Sequence, residues 1–272
     1  MTADRSNAPP ASSASPQRKD WEDRSFWLYG IPSGLDAALL SRGCPARMLP
    51  RILWHKLALR LRGGPAGLEP AVVYNQLVVF DRPEMDGGGL VYAPDFPRLL
   101  LELGIARLPR LCEFAAGPGY IGYLLLANGF CEHLTLLDVD RPAIEAAEFT
   151  ARYNRVQDRV TACVSDGLDQ VPASECWDLV VANPPQLPRA GQDKRARIVV
   201  DEDWALHRKF YRSVRKHMQP GGHVIFIENG PAPENSIFRE MIEAGGGTLL
   251  QTLTRCSVAG VADSYHYVIS RW

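Results

Sequence analysis

"RLCEFAAGPGYIGYLLLANG", residues 110–129, decides the fold. Its opening, Arg110 to Ala115, is a short apolar run carrying one acid, Glu113, and reads as a buried strand. Its close, Tyr120 to Gly129, is a longer apolar run that stops at glycine, as a helix does. Only Ala116, Gly117, Pro118 and Gly119 lie between them. A strand that becomes a helix within so few residues opens a strand–helix unit. The glycines let the backbone approach a ligand closely, beside a helix N-terminus. Gly117, Gly119 and Gly122 also satisfy the spacing G-x-G-x-x-G.

The alternation continues downstream. Strand "LTLLDVD" (134–140) leads into helix "RPAIEAAEFTARYN" (141–154), followed by strand "VTACVSD" (160–166) and strand "WDLVVANPP" (177–185). A helix is expected over 203–218, ending at "QPGG", then strand "HVIFIENG" (223–230) and a helix over 234–246. The last two segments, 248–258 and 264–272, alternate like an antiparallel pair. Strands interleaved with helices argue for an α/β, doubly wound sheet covered by helices on both faces.

Upstream, residues 1–19 are rich in Pro, Ser and Ala without apolar periodicity, and a disordered tail is expected. Residues 20–83 are expected to form a helical N-terminal cap or lid, with helices in "SGLDAALLSRG" (33–43) and "PRILWHKLALRLRGG" (50–64) and one or two short strands over 71–82. Residues 85–96 read as a loop and 96–104 as a short helix. The catalytic domain is placed at 84–272.

A net charge of −1 and pI ≈ 6.6 show no electrostatic footprint for RNA or DNA, so a nucleic-acid partner is not expected. "KRAR" (194–197) and "RLRGG" (60–64) read as solvated loops. The six cysteines show no CxxC and no Cys/His pair at zinc spacing, so no metal is expected. No apolar run reaches the roughly 20 residues that cross a bilayer. Without a secretory segment the expected compartment is the cytoplasm.

Open α/β sheets bind ligands at the carboxyl ends of their strands, and the informative residues lie there. Glu113 before the glycines would repel a pyrophosphate and attract a cation. Asp138 ends its strand where one carboxylate can accept both hydroxyls of a ribose, while Asp140 suits the cap of the next helix. Asp166 follows the third strand, where it can accept the exocyclic amine of an adenine. Asn183 ends the fourth and precedes Pro184 and Pro185, which stop the strand and restrict the backbone. The glycines and Asp138 alone would also suit a nicotinamide-binding turn.

Acid, glycine turn, acid, acid and then Asn-Pro-Pro, after four successive strands, is similar to the class I S-adenosylmethionine-dependent methyltransferases. "NPPQ" (183–186) resembles the Asn-Pro-Pro-aromatic motif of the amino- and amide-directed N-methyltransferases, among them release-factor glutamine and adenine N6 enzymes. The resemblance covers about residues 84–272. It implies a Rossmann-like seven-stranded sheet and S-adenosylmethionine as cofactor, held by Glu113, Ala115, Gly117, Gly119, Tyr120, Asp138, Asp166, Gly167 and Asn183. It implies that Asn183 accepts a hydrogen bond from the reacting amine and aims its lone pair at the methyl group, which is catalysis by orientation. Pro184, Gln186, Tyr123 and Asp86 are the implied substrate-side residues, with Asp86 and Gly87–Gly89 closing over the methionine end of the cofactor.

The family's aromatic is replaced by Gln186, which has no π face. That favours an aliphatic amine of a small molecule as methyl acceptor. A second resemblance, to methyltransferase-like azetidine-2-carboxylate synthases, implies that S-adenosylmethionine is its own substrate, cyclised with release of methylthioadenosine. Tyr120, Tyr123 and Tyr211 are candidates for an aromatic wall against the sulfonium. Trp204, His207 and Tyr211 stand at i, i+3 and i+7, on one helix face that lines the pocket or packs on the sheet. Tyr211 and His207, the latter as general base, join Asn183 as candidate catalytic residues.

Overall fold

The computed structural model describes residues 49–82, 89–186, 199–229, 236–255 and 265–272. The expected tail, the helix over 33–43, Asp86 and "KRAR" lie outside them. Strands β1 (Glu69–Tyr74) and β2 (Leu77–Asp81) form an antiparallel hairpin. Seven strands form the main sheet: β3 (Leu108–Phe114), β4 (Cys131–Asp138), β5 (Val160–Val164), β6 (Trp177–Ala182), β7 (Met218–Asn229), β8 (Thr248–Arg255) and β9 (Tyr265–Arg271). Their order is β5-β4-β3-β6-β7-β9-β8. β3 to β7 run parallel, and β9 is antiparallel to both its neighbours. The chain runs outward from β3 through β4 to β5, then returns to the other side of β3 as β6. The carboxyl ends of β3, β4 and β6 therefore flank the point where strand order reverses.

Helices α1 (Leu49–Leu61), α2 (Asp95–Glu102), α3 (Tyr120–Ala127), α4 (Arg141–Tyr153), α5 (Ala205–Ser213) and α6 (Ser236–Ala244) cover the sheet. Alternate strand residues divide between the two faces. Leu111, Leu179, Val181, Ile225 and Ile227 pack under α2, α3, α4 and the hairpin. Cys112, Phe114, Val180, Ala182 and Phe226 pack under α5 and α6. The first of these cores runs without a break from Leu59 and the hairpin into β9, so the region expected as a cap shares its apolar interior with the sheet.

Local chemistry explains the ends of the elements. Asp140 caps α4 by accepting from the Ala143 N–H at 3.1 Å, with proline in the first turn. The outer edge of β2 docks on α4 through side chains. Asn154 accepts from the Val78 N–H at 2.8 Å and donates to its carbonyl at 2.7 Å, and Thr150 accepts from the Phe80 N–H at 3.0 Å. An edge strand's backbone groups are thus satisfied by a helix.

Three expected stretches differ. The single helix over 203–218 is three pieces, because Asp203 and Trp204 adopt positive φ and residues 214–217 tighten into a 3₁₀ turn. "QPGG" begins β7 instead of a loop, since Gly221 and Gly222 pair with the backbone of Trp272 at 2.8 and 2.9 Å. Within the stretch expected as a loop, Gly89–Tyr92 forms one helical turn and α2 starts at Asp95. Among the described residues no helix is long and apolar enough to cross a membrane.

Candidate active site

The turn after β3 is built from strained backbone. Ala115, Gly117 and Gly119 all have positive φ, at 51°, 53° and 88°. A Cβ at Gly119 would stand 2.9 Å from side-chain atoms of Leu136 and Tyr123, so only glycine fits. At Gly117 a Cβ would meet nothing within 4 Å, so the space beside the carboxyl end of β3 is open there.

Asp138 borders that open space from the end of β4. Its two carboxylate oxygens accept from the Gly117 N–H at 2.7 Å and the Asp140 N–H at 2.9 Å. Each oxygen keeps a second lone pair for a hydroxyl donor. Burial raises its pKa, against the hydrogen bonds from Asp140 and Gly117. An open space at Gly117 edged by a backbone-anchored carboxylate fits the ribose of S-adenosylmethionine.

Glu113 is placed differently from its expected role. It is 2% exposed and accepts from the Ile121 and Gly122 N–H groups at 3.2 and 2.6 Å, at the N-terminus of α3. Burial pushes its pKa up to about 8, although these two amides favour the charge. It holds the helix to the strand through both carboxylate oxygens, where an acid facing a cationic ligand was expected. Asp166 is exposed beyond β5, where Lys209 of α5 bridges it and Asp169 at 2.9 and 2.8 Å. The Lys209 side chain also lies about 3.0 Å from where a Cβ of Gly167 would be. The expected adenine contact therefore carries a lysine that sequence reading missed.

Asn183 follows β6, half-buried, beside buried Pro184. Its Oδ1 accepts from Gln186 Nε2 at 2.6 Å, and the Gln186 N–H donates to the Val199 carbonyl at 2.9 Å. The tetrad Asn183–Gln186 thus folds back on itself. Gln186 is buried, 7% exposed, with its side-chain amide engaged by Asn183.

The expected aromatic wall and base are corrected. Tyr123 is fully buried and donates to the Ala147 carbonyl at 2.6 Å. Tyr120 is buried and donates to Asp81 Oδ2 at 2.6 Å, tying α3 to the hairpin. Tyr211 lies in the second core, stacked on Trp272 with centroids 6.0 Å apart. Trp204, in a left-handed conformation ahead of α5, leaves the expected helix face and packs on Phe238 and His207.

His207 is fully buried between two carboxylates, with Nδ1 at 2.6 Å from Asp201 and Nε2 at 2.8 Å from Glu228. Burial alone would lower its pKa; the Glu228 charge and the hydrogen bonds the ring donates to both acids outweigh it and raise it to about 9. Both ring nitrogens are engaged and the ring is protonated at neutral pH, so it is no general base there. It fastens α5 to the end of β7. Glu228 and Asp81 were both missed, although each closes an apolar run as Asp138 does.

The fold is shared with a methyltransferase from Pyrococcus furiosus, at TM-score 0.53 and 16% identity over 83% of this chain and 98% of that one. The chain is 32% identical over 120 residues to ribosomal RNA small subunit methyltransferase C of Marinomonas sp. (strain MWYL1), covering 44% of this chain and 30% of that protein. It is 24% identical over 198 residues to release factor glutamine methyltransferase of Rhodopirellula baltica, covering 64% and 66%. It spans less than a third of the length of the former and about two thirds of the latter. The exclusion of nucleic acid on net charge is overturned by the Marinomonas likeness: that relative is named for ribosomal RNA. The physical reason is that phosphates are met by a local surface, which a net charge averages away. Residues 71–245, from the hairpin through α6, match the methyltransferase small domain, and the chain belongs to that family of S-adenosylmethionine-dependent methyltransferases.

Proposed function

We propose that the chain methylates an exocyclic amino nitrogen of a base in RNA, with Asn183 orienting that nitrogen. The observation that carries this reading is the Asn183 carbonyl held at the tip of β6, adjacent in the sheet to the open turn at Gly117 and its Asp138 partner at the end of β3. Bound S-adenosylmethionine supplies a methyl group activated by its sulfonium. Asp138 accepts the ribose hydroxyls, and the Gly117 backbone leaves room for them. Asn183 Oδ1 accepts one N–H of the amine and so aligns the nitrogen. An exocyclic base amine is already neutral at pH 7 and needs no base before attack, whereas an aliphatic amine is a cation. With His207 engaged on both nitrogens, the neutral amine suits this site better.

Two further features support RNA as acceptor. The relative from Marinomonas is a ribosomal RNA enzyme by name. On α1 and just after it, Arg51, Arg60, Arg62 and Trp54 are exposed, a mixture of cations and an aromatic ring suited to phosphates and bases. The relatives reported above are methyltransferases, which favours methyl transfer over cyclisation.

The test is incubation with methyl-labelled S-adenosylmethionine and, in parallel, small ribosomal subunits, their naked RNA, a peptide-release factor, and no acceptor. The expected result is label in RNA, recovered after digestion as an N-methylated nucleoside. Label on a release-factor glutamine would move the acceptor to protein. Methylthioadenosine formed without acceptor would mean cyclisation.

A further inference from the structure

We propose that Gln186 is a positioning residue for Asn183, which rests on the reading of Asn183 given above. An asparagine side chain turns about two torsions, the second of them broad, so an amide at a strand tip does not hold its direction unaided. Here the direction is set by a closed circuit. Pro184 and Pro185 restrict the backbone and bring residue 186 back, so that its side-chain amide donates to Asn183 Oδ1 at 2.6 Å. Gln186 is itself tied to the Val199 carbonyl through its N–H at 2.9 Å. Two residues on, Asp201 accepts from the Leu206 N–H at 2.7 Å and meets His207 at 2.6 Å, and His207 reaches Glu228 on β7 at 2.8 Å. The tips of β6 and β7 are therefore linked through Gln186. Its donor occupies one lone pair of Asn183 Oδ1 and leaves the second, in a fixed plane, for the amine.

This assigns position 186 a role different from that of a stacking aromatic. A buried glutamine has no aromatic ring to stack on an acceptor, and its side-chain amide is spent on Asn183.

The probe is a pair of cofactor analogues, so no acceptor is needed. Sinefungin carries a primary amine where the cofactor carries its sulfonium methyl; S-adenosylhomocysteine carries nothing there. The preference of the full chain for sinefungin, measured by calorimetry, reports the hydrogen bond to Asn183 Oδ1, and Asn183→Ala shows how much of it is due to that residue. Gln186→Met keeps length and volume but removes the donor. It is expected to lower the preference about fivefold, the weight of an ordinary hydrogen bond, with S-adenosylhomocysteine affinity unchanged. Gln186→Leu, which also lacks the donor, is expected to do the same. A merely structural role would move both ligands and the thermal midpoint together. If Asn183→Ala lowers the preference and both Gln186 variants leave it intact, the positioning role is overturned and the reading of Asn183 survives. If Asn183→Ala leaves it intact, both fall.

Discussion

Asn183 and Asp138 divide the work of the site, and single substitutions separate them. Asn183→Ala removes an acceptor used by the reacting nitrogen and none used by the ribose. It is expected to leave cofactor affinity nearly unchanged and to lower turnover at least tenfold, about 1.4 kcal/mol in barrier; full turnover would remove Asn183 from the mechanism. Asp138→Ala removes an anchored carboxylate beside Gly117. It is expected to weaken S-adenosylmethionine binding about tenfold or more, the loss of two hydroxyl contacts to a charged acceptor. Equal affinity in a calorimetric titration would exclude the ribose contact. The neighbouring acids show why position alone does not identify a ligand contact. Glu113 and Asp138 both end strands, yet one turns into α3 and the other stays at the open edge.

At the scale of elements, the hairpin is joined to the sheet's helices by few polar contacts of high value. Val78 is fully buried, and both its backbone groups are satisfied by the one side chain of Asn154. Asn154→Ala is expected to strand them, costing about 2 kcal/mol, which corresponds to a fall of about 6 °C in thermal midpoint. Cofactor binding should persist at low temperature, because the turn at Gly117 and Asp138 are untouched. A midpoint within a degree of wild type would show that the hairpin is held by apolar packing alone. This joint was not legible in the sequence: Asn154 reads as the end of a helix, and Val78 lies 76 residues away.

At the scale of the whole molecule, two buried groups with large upward shifts contribute to the pH dependence of stability. Glu113 titrates near 8 in the fold against a usual 4.5, and His207 near 9 against 6.5. Both folded pKa values are raised, so the folded protein keeps protons that the unfolded chain has released. Stability from these groups is fully present at low pH, below 4.5 for Glu113 and 6.5 for His207. It is lost as pH rises towards 8 and 9 respectively. The wild-type midpoint is therefore expected to fall between pH 5 and 9. Glu113→Gln should flatten the fall below pH 8 and keep that due to His207, whatever it does to the absolute midpoint. An unaltered slope in a thermal series would show that Glu113 stays ionised in the fold.

What the sequence determined by itself is the order of elements and the strand ends that carry the site. Strand–helix alternation, the glycine turn at 116–119, Asp138 and the Asn-Pro-Pro tip are local signals, each decided by periodicity or by the backbone limits of glycine and proline. What only the tertiary structure decided is where side chains point and with what they pair. His207 reads as a base until Asp201 and Glu228 close on it, Tyr123 and Tyr211 read as pocket walls until they enter the core, and Gln186 reads as a missing aromatic until it meets Asn183. These outcomes depend on contacts between distant segments, and burial, which sets both the pairing and the charge, comes into being only when the segments meet.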